Sequence, residues 1–295
     1  MTLISFYLLL VTCHSPLDFK KEEIKIFKLR EGSKVKYYII EEFEKTALVE
    51  HAFTTKVGGV SQGDYAELNL GLHVSDRVDN ILENRRLISE ILGCDSRELV
   101  AGKQIHSDQI KVVSVDDKGK GALDYETAIE DTDALITDKS GILLTSYYAD
   151  CTPILILDPV KKAIGLAHAG WKGTVSKIAQ KTVLKMRDVY QSNPADILVG
   201  IGPAIGQCCY QVDSRVIKPL KDNFENWGRL IKEDGEGQWR LNMALANQLQ
   251  LEEIGVRSEN IIQSGLCTCC NSELFFSYRR DQGKTGRMAS MIKLL

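Results

Sequence analysis

The chain has 295 residues, 44% of them hydrophobic and 26% charged, with a formal net charge of −3 at pH 7. That length buries a sizeable core in one large domain or two small ones, and the near-balanced charge excludes the basic field that gathers nucleic acid or anionic lipid. The opening MTLISFYLLLVTC is too short an apolar run to span a bilayer, carries no preceding Lys or Arg, and no other stretch is long enough to cross a membrane. Residues 1–20 therefore read as a misassigned start, with a weak signal sequence as the alternative, and residues 21–295 as a single domain, since no repeat, low-complexity tract or linker interrupts them.

The first clear helix is capped by Asp79, carries Ile81, Leu82, Ile88, Ile91 and Leu92, and stops at Gly93. Strands are predicted at Lys111–Val115, Ile142–Tyr148, Pro153–Leu157 and Ala163–Ala167. Thr174 opens a second helix, with Val175, Ile178, Ala179, Thr182, Val183 and Met186 on one face. A strand follows at Ile197–Ile201, then the charged segment Glu225–Gln238, which reads as a surface excursion. The third helix follows Leu241, Leu245 and Leu249 and ends at Gly255, and a final strand is predicted at Ser290–Leu294. Strands outnumber helices and their links are short, which suits an α+β domain with helices covering a mixed sheet.

Cysteines stand at positions 13, 94, 151, 208, 209, 267, 269 and 270. Vicinal Cys208-Cys209 and the cluster Cys267-Thr-Cys269-Cys270 do not space like an extracellular disulfide framework, and do not read as the C-x2-C pairs of a zinc knuckle. A reduced cytoplasmic chain is the simplest reading.

The segment Tyr147–Thr174 holds the strongest chemical signal. Two apolar strands flank Asp158-Pro-Val-Lys-Lys162, a hairpin turn. A four-residue loop that pairs Leu157 with Lys162 also sets Cys151 opposite His168, about 5 Å apart at Cβ, a spacing that suits two ligands of one ion. A five-residue loop shifts the register by one. Gly165, Gly170 and Gly173 leave room for a ligand beside His168. A third ligand must come from another histidine or an acid, and His106 is the candidate, in a polar stretch just before a strand. Two imidazoles and a thiolate favour zinc over magnesium or calcium, and three protein ligands leave a position for water or substrate. The chain holds only five histidines, too few for the copper sites of a multicopper oxidase. The zinc deaminase signature H-x-E…P-C-x-x-C is also missing.

Several segments occur together in one order: Phe53-Thr-Thr-Lys-Val-Gly-Gly-Val-Ser61, Leu68-Asn-Leu-Gly-Leu-His73, Glu83-Asn-Arg-Arg86, Gln104-Ile-His106, Ala149-Asp-Cys-Thr-Pro153, Ala167-His-Ala-Gly-Trp-Lys-Gly-Thr174, Ile201-Gly-Pro-Ala-Ile-Gly206, Cys267-Thr-Cys269 and Phe275-Phe-Ser-Tyr-Arg-Arg280. With this set the chain resembles the YfiH/YlmD-like laccase-domain family, once called polyphenol oxidases and now regarded as purine nucleoside phosphorylases. The resemblance implies an α/β/β/α sandwich with zinc at His106, Cys151 and His168. It also implies phosphorolysis of adenosine, inosine, guanosine and methylthioadenosine, with adenosine deamination besides. The chain departs from the family at Lys56, where Arg is usual, so charge is kept and the bidentate fork lost.

Phosphorolysis needs an anion site, and the candidates are Lys56, Arg279 and the loop Gly202–Gly206, with Arg280 and Arg287 next. Asp150 can orient a ligand imidazole or act as an acid/base, or it is a plain turn residue. Asn69 and His73 are candidates for the purine pocket, and Trp171 either stacks on a base or packs. The expected partners are purine nucleosides and phosphate, with no nucleic acid or membrane; a homodimer is compatible with this reading. A Cys–His thiol hydrolase using Cys151 with His168 and a non-catalytic metal-binding protein are the competing readings.

Overall fold

The computed structural model describes residues 27–32 and 34–295; the segment 1–20 lies outside the described residues. In chain order the strands are β1 Phe27–Gly32, β2 Val35–Ile40, β3 Val49–Thr54, β4 Val100–Ala101, β5 Ile110–Val112, β6 Ala134–Thr137, β7 Leu144–Tyr148, β8 Thr152–Asp158, β9 Ala163–Ala169, β10 Leu198–Ile201, β11 Gln211–Asp213, β12 Ile231–Glu233, β13 Gln238–Leu241, β14 Ile261–Gln263 and β15 Met288–Leu294. The α-helices are α1 Glu41–Lys45, α2 Val78–Ile91, α3 Trp171–Val175, α4 Ile178–Tyr190, α5 Ser214–Asn223 and α6 Met243–Glu253. Among the described residues none of the helices is long and apolar enough to cross a membrane.

Among the described residues two six-stranded sheets form, ordered β1-β2-β3-β15-β7-β4 and β14-β10-β8-β9-β6-β5, beside a small sheet β11-β13-β12. The large sheets face each other. Tyr38, Phe53, Leu144, Tyr148, Met288 and Ile292 of the first meet Leu135, Leu155, Leu157, Ile164 and Leu166 of the second in one buried cluster. On the outer face of the second sheet, Ile154, Ile156 and Ala167 pack against Ile178, Val183 and Met186 of α4. On the outer face of the first, Ala289 and Met291 pack with Ile88 of α2. The layers therefore run α/β/β/α, as the resemblance implies. Strands β8 and β9 are buried along their whole length on both faces, which is why they read as continuous apolar runs without alternation.

Several local expectations change. Asp79 is not the cap of α2; Arg77 holds the N-cap position without a side-chain bond, and Asp79 instead places its charge in the first turn, where the helix dipole favours it. The helix expected from Thr174 begins at Trp171, breaks after Val175 and resumes at Ile178, because Lys177 takes a left-handed φ of 62° and redirects the axis. Asn242 caps α6 by accepting from the Leu245 N–H at 3.0 Å. The segment Glu225–Gln238 is more than an excursion: β12 lies within it and pairs with β13.

Arg85, on the inner face of α2, is 2% exposed. Its Nε donates to the Leu70 carbonyl at 2.9 Å, and its Nη1 to the carbonyls of Gly121 and Ala122 at 2.7 Å each. The guanidinium also lies 4.5 Å over the Tyr147 ring. One side chain thus ties two loops to the helix and to β7. Arg85→Met should strand these buried carbonyls, each costing about 1–3 kcal/mol. A loss of ~3 kcal/mol or more is the expected outcome in urea unfolding; an unchanged midpoint would show that the loops hold without it.

Candidate metal centre and its pocket

The hairpin of β8 and β9 positions two of the three expected ligands, in a register two residues away from the one expected. Asp158 pairs with Ala163, so His168 faces Pro153, and Cys151 and Gly170 lie just beyond the last pair, Thr152 with Ala169. A shift of two keeps each side chain on its face, so Cys151 and His168 remain diagonal neighbours, where a shift of one would have separated them. Gly170 is required here: a Cβ on it would stand 2.6 Å from His106 Cδ2 and 3.1 Å from Cys151 Sγ.

His106 arrives on the loop before β5, with a left-handed φ of 63°. That conformation is uncommon for a non-glycine residue and needs support from its surroundings. Asp133, immediately before β6, supplies it. Its carboxylate accepts the N–H groups of Ile105 (3.1 Å), His106 (3.1 Å) and Ser107 (2.7 Å), and the Ser107 hydroxyl (2.8 Å). The Gln104 amide exchanges two bonds with the Tyr147 backbone, at 2.8 and 2.9 Å, and pins the same loop to β7. Asp133 also bonds His168 Nδ1 at 2.9 Å, which turns the Nε2 of that ring toward Cys151 and His106.

The ligand atoms of His106, Cys151 and His168 all lie within 4.8 Å of one another. Cys151 Sγ and His106 Nε2 are 3.7 Å apart; a tetrahedral zinc with ordinary bond lengths sets a sulfur and a nitrogen about 3.6 Å apart. The donor set and spacing fit a single ion. Burial opposes ionisation of Cys151, but the His168 charge and the hydrogen bonds of both imidazoles outweigh it and bring the thiol down to about 6. Burial likewise opposes protonation of His168, but the Cys151 thiolate and Asp133 carry it up to about 9. Without an ion, the two form a thiolate–imidazolium pair.

All three residues open onto a cavity of about 600 Å³, large enough for a small ligand. Its walls include Tyr125, Tyr147, Trp171, Tyr210 and Tyr278, and the cations Arg85, Lys172, Arg279 and Arg287. The Tyr147 hydroxyl is buried there without a hydrogen-bond partner among the described residues. Arg279 lies 5.3 Å over the Tyr210 ring and donates Nη1 to the Gln211 carbonyl at 3.0 Å; Arg287 lies 5.7 Å over Tyr278 and donates Nη1 to the carbonyls of Thr285 and Gly286. His73 is on the wall, where burial, then the charges of Arg287 and Arg85, push it down to about 4 and keep it neutral. His51 is elsewhere, its Nε2 accepting the Ile40 N–H at 2.7 Å.

Other expected residues do different work. The strand does not continue through Asp150, which takes a φ of 82°. Its carboxylate bonds neither histidine; it accepts Thr268 Oγ1 (2.6 Å), Ser277 Oγ (3.1 Å) and the Arg279 N–H (2.7 Å). The imidazole-orienting carboxylate is Asp133. Asn69 is fully buried and holds Gly71, Asp76 and Arg287 from behind the wall. Lys56 is not brought to the cavity; its backbone bonds to Leu274, Glu67 and Leu68. The Gly202–Gly206 loop lines a separate cleft for most of its length, and Arg280 donates to the carbonyls of Thr268, Cys269 and Phe275. Sequence reasoning missed Asp133 because it missed β6. Ala134 pairs with Ala167, which sets Asp133 beside His168, and the run Asp-Ala-Leu-Ile-Thr was the available signal.

The chain belongs to the family described as multi-copper polyphenol oxidoreductase laccase, whose model it matches over residues 50–295. It is similar to the purine nucleoside phosphorylase YlmD of Bacillus subtilis, 42% identical over 240 residues, which span 81% of this chain and 86% of that protein. It is also similar to the adenosine deaminase RL5 from an unknown prokaryotic organism, at 32% identity over 83% of this chain and 94% of that one. The solved structure of YlmD from Geobacillus stearothermophilus matches with a TM-score of 0.87 at 40% identity, over 92% of this chain and 99% of that one. The family and the sandwich expected from the sequence motifs are both borne out.

The ion pair can be tested in chelator-treated protein by following iodoacetamide modification of Cys151 by mass spectrometry. The rate should reach half its maximum near pH 6, since the thiol is drawn down to about 6. His168→Ala removes the cation and should move the midpoint up toward the ordinary thiol value of about 8.5. A parent midpoint already in that ordinary range would contradict the geometry.

Proposed function

We propose that the chain is a zinc-containing purine nucleoside phosphorylase of the cytoplasm, acting on adenosine, inosine, guanosine and methylthioadenosine, which also deaminates adenosine. One observation carries this reading: two imidazoles and a thiolate converge on the wall of an aromatic, cation-bearing cavity of about 600 Å³. The similarity to proteins named purine nucleoside phosphorylase and adenosine deaminase supports it. The family description mentions copper, but only His106 and His168 among the described histidines join the metal-ligating group, which is too few for a multicopper centre.

His106, Cys151 and His168 would hold the ion, and an ion held there supplies Lewis-acid activation of water near neutral pH. The surrounding residues bind and orient substrate. Tyrosine and tryptophan faces accept a purine, while the neutral His73 and the unpartnered Tyr147 hydroxyl offer hydrogen bonds to its edge. Arg279 and Arg287 retain donors beyond their carbonyl bonds and can grip a phosphate. In phosphorolysis a phosphate oxygen bonds to C1′ as the C1′–N9 bond breaks and the purine leaves with a proton. In deamination water adds at C6 and ammonia departs.

Inosine with phosphate should give hypoxanthine and ribose 1-phosphate, whereas adenosine should give inosine and ammonia without phosphate. Cys151→Ala should lose one equivalent of metal and both activities together. Full ammonia release from protein shown to be free of metal at this site would end the proposed role of the ion. Arg279→Ala or Arg287→Ala should raise the KM for phosphate more than that for nucleoside; equal rises would point to a fold defect. The thiolate–imidazolium pair favours one other reading, a hydrolase with Cys151 as nucleophile. That enzyme would be active after chelation, and this one would not. Asp133→Asn should weaken zinc affinity by about 10–100-fold, read by competition with a chromophoric chelator; unchanged affinity would leave Asp133 a purely structural residue.

A further inference from the structure

We propose a second metal site, a structural zinc held by the four thiolates of Cys208, Cys209, Cys267 and Cys270. It is independent of the reading above, since none of these residues belongs to the His106–Cys151–His168 group. The cysteines are far apart in sequence, but the parallel pairing of β10 with β14 continues past both strands. A bridge between Ala204 and Cys267 joins the two following loops, with the Ala204 N–H donating to Leu266 (3.2 Å) and the Thr268 N–H to Ala204 (2.9 Å). Each loop then turns sharply. Cys209 and Tyr210 both donate to the Gly206 carbonyl at 3.0 Å, and Asn271 closes a turn on the Cys267 carbonyl at 3.1 Å. Cys267 and Cys270 thereby occupy one turn as a C-x2-C pair, the spacing that zinc sites use, which corrects the sequence reading of this cluster.

The four sulfurs all lie within 4.8 Å of one another. Cys270 Sγ is 3.5 Å from Cys208 Sγ and 3.4 Å from Cys209 Sγ. Zinc–sulfur bonds of ordinary length set the edges of a thiolate tetrahedron at about 3.8 Å, while a disulfide needs about 2.05 Å. The Gly206 N–H donates to Cys267 Sγ at 3.2 Å, a support that metal thiolates commonly receive. Two guanidinium groups, ion-paired with Asp234 and Asp281, brace the loops that carry the four cysteines. Arg240 donates to the Cys208 carbonyl at 2.6 Å, and Arg280 to the Thr268 carbonyl at 3.0 Å. A cleft of about 900 Å³ reaches Cys208 and Cys267 and provides an access route for the ion. Thr268, between two of the ligands, donates to Asp150 beside Cys151, so the ion would brace the wall of the catalytic cavity from outside.

The full-length chain, purified with reductant and without chelator, should contain two zinc ions. Cys151→Ala should keep one, Cys270→Ser should keep the other, and Cys269→Ser should keep both. Cobalt loaded into the Cys151→Ala chain should give the intense sulfur-to-cobalt absorption of a tetrathiolate, which serves even if Cys270→Ser does not fold. A Cys151→Ala chain without zinc or cobalt, a Cys270→Ser chain with as much zinc as its parent, or a disulfide from Cys270 to Cys208 or Cys209 under these reducing conditions would overturn the site. Zinc retained here but missing from His106, Cys151 and His168 would instead count against the proposed catalytic ion alone.

Discussion

The Asp133 carboxylate decides where both imidazoles stand. It is 2% exposed, and a buried charge persists only when its oxygens are bonded. Three backbone N–H groups, a serine hydroxyl and the His168 ring meet that need. Burial works against its ionisation, but His168 and the Ser107 bonds outweigh it and hold Asp133 below the usual carboxylate range. The same bonds stabilise the left-handed backbone at His106 and fix the tautomer at His168. Position and electronic state of the ligands thus share one cause.

Around that carboxylate the sandwich acts as a rigid frame. The hairpin that bears Cys151 and His168 lies between the inter-sheet core and the helix layer, so neither strand can shift without disturbing packing on both faces. The cavity side is mixed, with α2, β7 and α3 contributing Arg85, Tyr147, Trp171 and Lys172, and loops contributing Tyr210, Tyr278, Arg279 and Arg287. Asp150 gathers three of their donors, and Arg85 and Gln104 bind others from behind. The chemistry therefore rests on His168 in a rigid strand, with Cys151 and His106 on the turns beside it, while helix, strand and loop residues together supply the cavity's cationic and aromatic wall.

How much of this was legible in the sequence follows from which signals are local. Cys151 and His168 were legible as neighbours because a hairpin conserves facing, and an error of two in register leaves parity intact. Their third partner, His106, rested on placement before a strand and on resemblance, since a loop contact across forty-five residues leaves no periodic trace. Asp133 was hidden by the brevity of β6, and of the readings open for Asp150 the turn is the one its backbone takes, with a φ of 82°. Strands β1 to β3 escaped notice: β2 is buried on only part of its length, and β1 alternates weakly. The layer order came from family motifs rather than from periodicity, because doubly buried strands do not say which face meets a helix.

The central place of β15 bears on synthesis. It pairs with β3 on one side and β7 on the other, and Ser146 meets Ser290 across 144 residues. Until residues 288–294 leave the ribosome, β3 and β7 each present an unsatisfied edge with no strand to join them. From the emergence of β7 to that of β15 the nascent chain must carry these two open, apolar margins, a period in which pairing with a neighbouring chain competes with closure. A message truncated shortly before this strand would yield a polypeptide with nearly every ligand of the cavity encoded and no means of completing the sheet behind them.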